Sequence, residues 1–222
     1  MKGDLLMTNE RKLIRLLKKI SYKQPLVETF KDFVHLYSLM FRVTTTASDH
    51  INNEYYNLIS KFNKRDHDCF NEAIDYVYKT LQKKPYDLLG NTYQLLTKQK
   101  YTYYLNTDKW AANMMILNKD WSKSSPFLIY EQNTNGGRFS LESCNLLKIK
   151  GINYEDKVVF VSSAKNKFSC KMCFLQLSLI NAQGIIREIS TNSSQEEIYD
   201  EYITPALFAN RLLNLEKERR RV

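Results

Sequence analysis

Cysteine, proline, glycine and histidine are all scarce in this chain, which has 4, 4, 6 and 3 of them in 222 residues. Cys69, Cys144, Cys170 and Cys173 are too few for the disulfide framework of a small secreted protein and fit a reducing compartment. Pro25, Pro85, Pro126 and Pro205 never adjoin, so no segment carries a Pro-Pro step. The only adjacent glycines are Gly136 and Gly137, which excludes a Gly-x-Gly-x-x-Gly phosphate loop. His35, His50 and His67 fall on separate helical segments with no nucleophile beside them, and they read as structural or solvated side chains. No apolar run reaches the about 20 residues of a membrane span. The first residues lack an apolar core followed by a small-residue cleavage site, so a cytoplasmic protein is expected.

Acidic residues are also in deficit, with 24 Asp and Glu against 33 Lys and Arg for a net charge of +9. This balance excludes an acidic mimic of DNA. Basic residues concentrate in 11–23, at Lys64 and Arg65, in 79–100 and in Arg219-Arg-Arg221. Such clusters suit a polyanion or acidic partner, because neutralising phosphates releases counterions. The same residues equally describe a basic solvated surface. What remains is ordinary for a folded protein, since 43% of residues are hydrophobic and 26% charged, a balance unlike that of a disordered chain.

Periodicity divides the chain into a helical domain over 1–100 and an α/β domain over 101–222. Leu13, Leu16, Leu17 and Ile20 lie at helical spacing before Pro25. Phe30, Phe33, Val34, Tyr37 and Phe41 mark one face of a long helix from Val27 to Arg42. The pattern repeats over Asn53 to Phe62 and over His67 to Leu81, where Asp66 serves as the N-cap, and again from Tyr86 to Leu96. Thr107 or Asp108 can cap a further helix running through Met114 and Leu117. Neither internal repeats nor low-complexity segments occur.

The second half changes period. Phe127-Leu-Ile-Tyr-Glu131 is a strand-type run, Gln132 to Gly137 a polar turn, Arg138 to Lys150 a helix, and Lys157-Val-Val-Phe-Val161 a second buried strand. Lys167 to Asn181 is a helix with Phe168, Met172, Leu175 and Leu179 on one side. Ile185 to Ile189 is a third strand, and Pro205 opens a last helix. Strand, glycine turn, helix and strand follow the order of a cofactor-binding crevice. Such a crevice needs glycines where backbone approaches the ligand and an acid after the second strand. Here that strand runs into Ser162-Ser-Ala-Lys-Asn166.

Several segments resemble the adenine-specific DNA methyltransferases of the type I modification-subunit kind, especially their short phage and mobile-element versions. Asp87-Leu-Leu-Gly90-Asn-Thr-Tyr93 is similar to the family's Asp-x-Leu-Gly-x-x-Tyr. Thr102-Tyr-Tyr-Leu-Asn106 stands where the family has Gln-Phe-Phe-Thr-Pro. Glu131-Gln-Asn-Thr-Asn-Gly-Gly137 aligns with Glu-Pro-x-Cys-Gly-x-Gly and keeps the acid and Gly137. Gly151 to Val161 and Met172 to Leu179 are similar to the family's second strand and following helix, and Tyr202-Ile-Thr-Pro205 to its Tyr-Tyr-Thr-Pro ending. Two departures stand out. Ser163-Ala-Lys-Asn166 replaces Gln-Asp-Ile-Asp, whose acid holds the ribose of S-adenosylmethionine, and no Asn/Asp-Pro-Pro-Tyr/Phe exists to accept protons from a flipped adenine.

The resemblance implies a Rossmann-like methyltransferase-type sheet preceded by an all-α helical N-terminal domain. It implies a catalytically inactive methyltransferase-like protein of a phage or mobile element, without cofactor. Its partners would be DNA, a methyltransferase, restriction or replication subunit, or both. The alternative is an active S-adenosylmethionine-dependent adenine DNA methyltransferase with a diverged cofactor loop. Tyr103, Tyr104, Glu131, Gly136 and Gly137 are then vestigial cofactor positions, and no residue is assigned to catalysis.

Lys98, Lys100, Tyr101, Tyr103 and Tyr104 form a candidate nucleic-acid contact, because aromatic faces stack on bases while lysines meet phosphates. The same rings could instead fill a vacated cofactor pocket. Cys170-Lys-Met-Cys173 lies within a helix and lacks a second ligand pair, so it reads as buried cysteines rather than a metal site. Glu196 and Glu197 read as a solvated acidic turn, and Arg219-Arg-Arg221 as a solvated helix end.

Overall fold

Helix formation begins where apolar residues recur every three or four positions. The computed structural model describes residues 2–20, 24–98, 111–113, 115–116, 119–121, 126–190 and 197–219. Its N-terminal region holds α1 (Lys2–Leu17), α2 (Leu26–Thr45), α3 (Asp49–Ile59), α4 (Lys64–Lys83) and α5 (Leu88–Thr97). Pro25 precedes α2, where its missing N–H costs nothing, and Glu28 and Arg42 oppose the helix dipole at the two ends.

The cap of α4 is Asn63 rather than Asp66. The Asn63 side chain accepts from the Asp66 amide while the Asp66 carboxylate accepts from the Asn63 amide, a reciprocal capping box. Both residues are good cap formers, and the pair works only with Asn63 outside the helix.

The second region runs β1 (Phe127–Glu131), α6 (Arg138–Ile149), α7 (Tyr154–Lys157), β2 (Val158–Ala164), α8 (Lys167–Leu179), β3 (Gln183–Ser190), β4 (Glu197–Ile203) and α9 (Pro205–Arg219). The strands form one sheet of order β1-β2-β3-β4. β1 pairs parallel to β2 with Ile129 opposite Phe160, and β2 pairs parallel to β3 with Phe160 opposite Gly184. β4 returns antiparallel to β3, which makes the fold α/β with a mixed sheet and a helical N-terminal region. The acidic turn expected at Glu197 is instead the start of β4. This edge strand hides its nature because only Tyr202 is buried, leaving Glu197, Ile198, Tyr199 and Glu201 to solvent.

α8 explains how the two regions join. Every residue from Cys170 to Leu177 is buried, and so is Leu179, although amphipathicity predicted a single apolar face. The sheet covers one side of this helix and α2 the other, so it has no solvent face. One apolar cluster consequently runs from Leu13 and Phe33 through Phe174 to Tyr202. Polar ties cross the same boundary. Gln82 Nε2 donates to the Leu179 carbonyl at 3.0 Å. Arg42 grips the Asp200 carboxylate with two bonds of 2.9 and 3.0 Å while lying over the Tyr202 ring. Among the described residues no helix is long and apolar enough to cross a membrane.

Candidate functional site

The C-terminal end of β1 is where the chain gathers buried polar side chains. β1 delivers Glu131, the turn 132–137 follows, and α6 starts at Arg138 with Gly137 as its N-cap. Thr134 braces the turn by donating its amide to the Ser163 carbonyl at 2.8 Å and accepting the Gly137 amide on its hydroxyl at 2.7 Å.

Glu131 then folds inward. Its carboxylate accepts from the Phe139 and Ser140 amides at 3.2 Å each and from the Ser140 hydroxyl at 2.5 Å. The Ser162 hydroxyl adds a longer contact of 3.4 Å. The positive end of α6 is therefore neutralised by a side chain of the protein itself, at the position where such helices receive an anionic ligand. Burial pushes the Glu131 carboxyl up, and the bonds from Ser140 and Phe139 oppose that rise.

Beneath the turn sits a second polar group that sequence reading did not assemble. Asp87 caps α5 by accepting the Gly90 amide at 2.8 Å. Gln176 of α8 donates to Asp87 Oδ1 at 3.0 Å and to the Gly136 carbonyl at 2.7 Å, and its oxygen accepts the Leu89 amide at 2.9 Å. One buried amide thus clasps the start of α5 to the glycine turn. Arg138, itself buried, brings Nε to 3.7 Å from Asp87 Oδ2. Gln176 was visible in the sequence as the one amide inside the apolar run Met172 to Leu179.

Glycine is required here by close approach within the protein. A Cβ on Gly90 would sit 2.2 Å from Asp87 Oδ2, and one on Gly136 would sit 2.8 Å from Asp87 Oδ1. A Cβ on Gly137 would meet Cys173 Sγ at 2.9 Å, and both Gly136 and Gly137 have positive φ, at 106° and 90°. These glycines seat the turn on Asp87 and α8.

Outside the turn a cavity of about 480 Å³ is lined by Tyr130, Glu131, Gln132, Asn133, Asn135, Arg138 and Phe139. Its polar side chains are the amides of Gln132, Asn133 and Asn135 together with Tyr130, Glu131 and Arg138. β2 ends in Ser163 and Ala164 and runs on into Lys165 and Asn166, so this adjoining strand end carries no acid of its own to accept sugar hydroxyls.

The structure places Glu131 at the end of β1 and Gly136 and Gly137 in the turn that follows it. Lys98 is exposed and caps α5 in the left-handed conformation, at φ 54°. Lys100, Tyr101, Tyr103 and Tyr104 lie outside the described residues. Cys170 and Cys173 are buried in α8, and burial raises the Cys170 thiol to about 12 and the Cys173 and Cys144 thiols well above their ordinary range. Among the described residues no group of His, Cys, Asp and Glu has the arrangement of a metal site. The histidines are less scattered than their sequence positions suggest. His35 and His50 line one cavity between α2 and α3, where His35 Nε2 is 2.8 Å from Glu54 and burial lowers its pKa. No family model, curated protein or solved structure matches the chain.

Proposed function

We propose that the protein is a non-catalytic, methyltransferase-like binding protein whose Rossmann-like half has become a scaffold. The observation that carries this reading is the inward turn of Glu131. The acid that aligns with the family's first cofactor motif is engaged by Phe139 and Ser140, and the neighbouring glycines are engaged by Asp87 and Cys173. These contacts hold Glu131 and the glycine turn within the protein, while Arg138 Nε and Nη2 lie buried beside them without a hydrogen-bond partner. The missing acid after β2 and the absent Pro-Pro tetrapeptide support the same conclusion, because each removes a group the transfer reaction uses.

With chemistry set aside, binding is the remaining role. The net charge of +9 favours DNA as a partner, alone or together with a restriction-modification or replication subunit of a phage or mobile element. The test is a methyl-transfer assay on unmodified DNA with labelled S-adenosylmethionine, run beside a duplex-binding measurement. Salt-sensitive binding without label transfer is the expected result. Transfer that disappears in Glu131→Ala, with the variant shown to be folded, would establish the rival reading of an adenine methyltransferase with a diverged loop.

A further inference from the structure

We infer that the exposed face of α1 is a nucleic-acid docking surface that grips the phosphate backbone without reading sequence. The inference rests on the DNA part of the proposed function and names where that binding occurs. Between residues 8 and 20, Leu13, Leu16, Leu17 and Ile20 point into the core, while Arg11, Lys12, Arg15, Lys18 and Lys19 are all exposed. The only acid in that stretch, Glu10, is buried against Asn91 of α5. A cationic face of this kind carries like charges at i,i+3 and i,i+4, spacings at which they repel.

Contacts with α4 engage two of these cations. Lys19 pairs with Glu72 at 2.9 Å, and Lys12 lies over the Tyr76 ring at 4.6 Å, so both are drawn toward α4. Arg15 and Lys18 have no ion-pair partner among the described residues. Arg11 and Arg15 of α1 and Lys18 in the turn that continues it follow one line and span about 10 Å along the helix axis. That length matches about three nucleotide steps of a duplex strand.

Phosphates fit this face better than a protein does. Protein interfaces are built around an apolar or aromatic centre from which charge is depleted. No large exposed hydrophobic side chain lies on α1 among the described residues. The exposed helical faces nearby are mixed, with Asp68, Glu72 and Asp75 interspersed among the cations of α4.

The experiment compares the full chain with Arg11→Gln/Arg15→Gln/Lys18→Gln and with a control of equal charge loss, Lys61→Gln/Lys64→Gln/Arg65→Gln. Fluorescence anisotropy with a duplex of arbitrary sequence is recorded across a salt series, after circular dichroism shows each protein folded. The α1 variant is expected to lose at least about tenfold in affinity and to flatten the slope of log K against log salt by about 2 to 3, near 0.9 per lost phosphate contact. The control is expected to change the slope little. Equal losses in both variants would overturn the assignment to α1 while leaving DNA binding in place. No duplex binding by the unaltered chain would overturn both. Polyglutamate competing as well as duplex would assign the face to an acidic protein and overturn the inference.

Discussion

Ser140 donates its hydroxyl to Glu131 at 2.5 Å and its backbone amide to the same carboxylate at 3.2 Å, so the two residues close the start of α6 on the end of β1. A bond to a charged acceptor in a buried site is worth about 1.5–3 kcal/mol. Removing either partner should therefore destabilise the protein, and removing both should cost less than the separate losses added together. Thermal or denaturant unfolding of Glu131→Ala, Ser140→Ala and the double variant is expected to give a coupling of about 1–2 kcal/mol. Strict additivity would mean that the contact contributes little.

Gly90→Ala should unfold the chain more readily because the new methyl lies 2.2 Å from Asp87 Oδ2 and must displace the cap of α5. Loss of such a cap costs about 1–2 kcal/mol, before any overpacking. The same substitution in an Asp87→Ala background is expected to be far milder. Gly151→Ala is a useful contrast, since nothing lies within 4 Å of its added Cβ and only its φ of +69° opposes the change.

Gln176→Leu keeps the volume of the side chain and removes its hydrogen bonding. The Leu89 amide and the Gly136 carbonyl would both lose a buried partner. At about 1–3 kcal/mol for each unsatisfied group, the expected loss is about 3 kcal/mol, measured by denaturant unfolding. Hydrogen exchange should rise in the glycine turn and in the first turn of α5 together, because a single amide holds both.

Glu10 supplies a pH dependence. Desolvation raises its carboxyl from 4.5 to about 7, and its Oε2 has no hydrogen-bond partner. Because the folded protein holds this proton more tightly than the unfolded chain, the contribution of Glu10 is fully present below pH 4.5. It is lost as pH rises through about 7. The unaltered protein should lose up to about 3 kcal/mol across that window relative to Glu10→Gln. Parallel stability profiles for the two proteins would contradict this assignment.

The first three strands of the sheet were legible because each is coded locally. Phe127 to Glu131 is apolar and bounded by turn residues, and it coincides with β1. β4 was not legible, since an edge strand with exposed Glu197 and Glu201 has the composition of an acidic loop. The burial of α8 on all sides was hidden for a different reason. Its residues show only that they are apolar, and the second covering layer comes from α2, far away in sequence.

At the candidate site, Glu131 and the glycine pair stood together in the sequence, whereas Asp87 and Gln176 are separated by 89 positions. Only the fold brings those two side chains within hydrogen-bonding distance. The helix expected from Tyr86 to Leu96 enclosed Asp87, whereas the structure starts α5 at Leu88 with Asp87 as its cap.

The central proposal is that the crevice at the end of β1, where Glu131 is bound to Phe139 and Ser140, does not take a methyl donor. Calorimetric titration of the folded protein with S-adenosylmethionine, at concentrations that detect micromolar to millimolar affinity, tests it most directly. The account predicts no binding heat in a protein whose circular dichroism shows intact structure. Saturable one-to-one binding that is lost in Glu131→Ala, with that variant folded, would contradict it and return the crevice to cofactor chemistry.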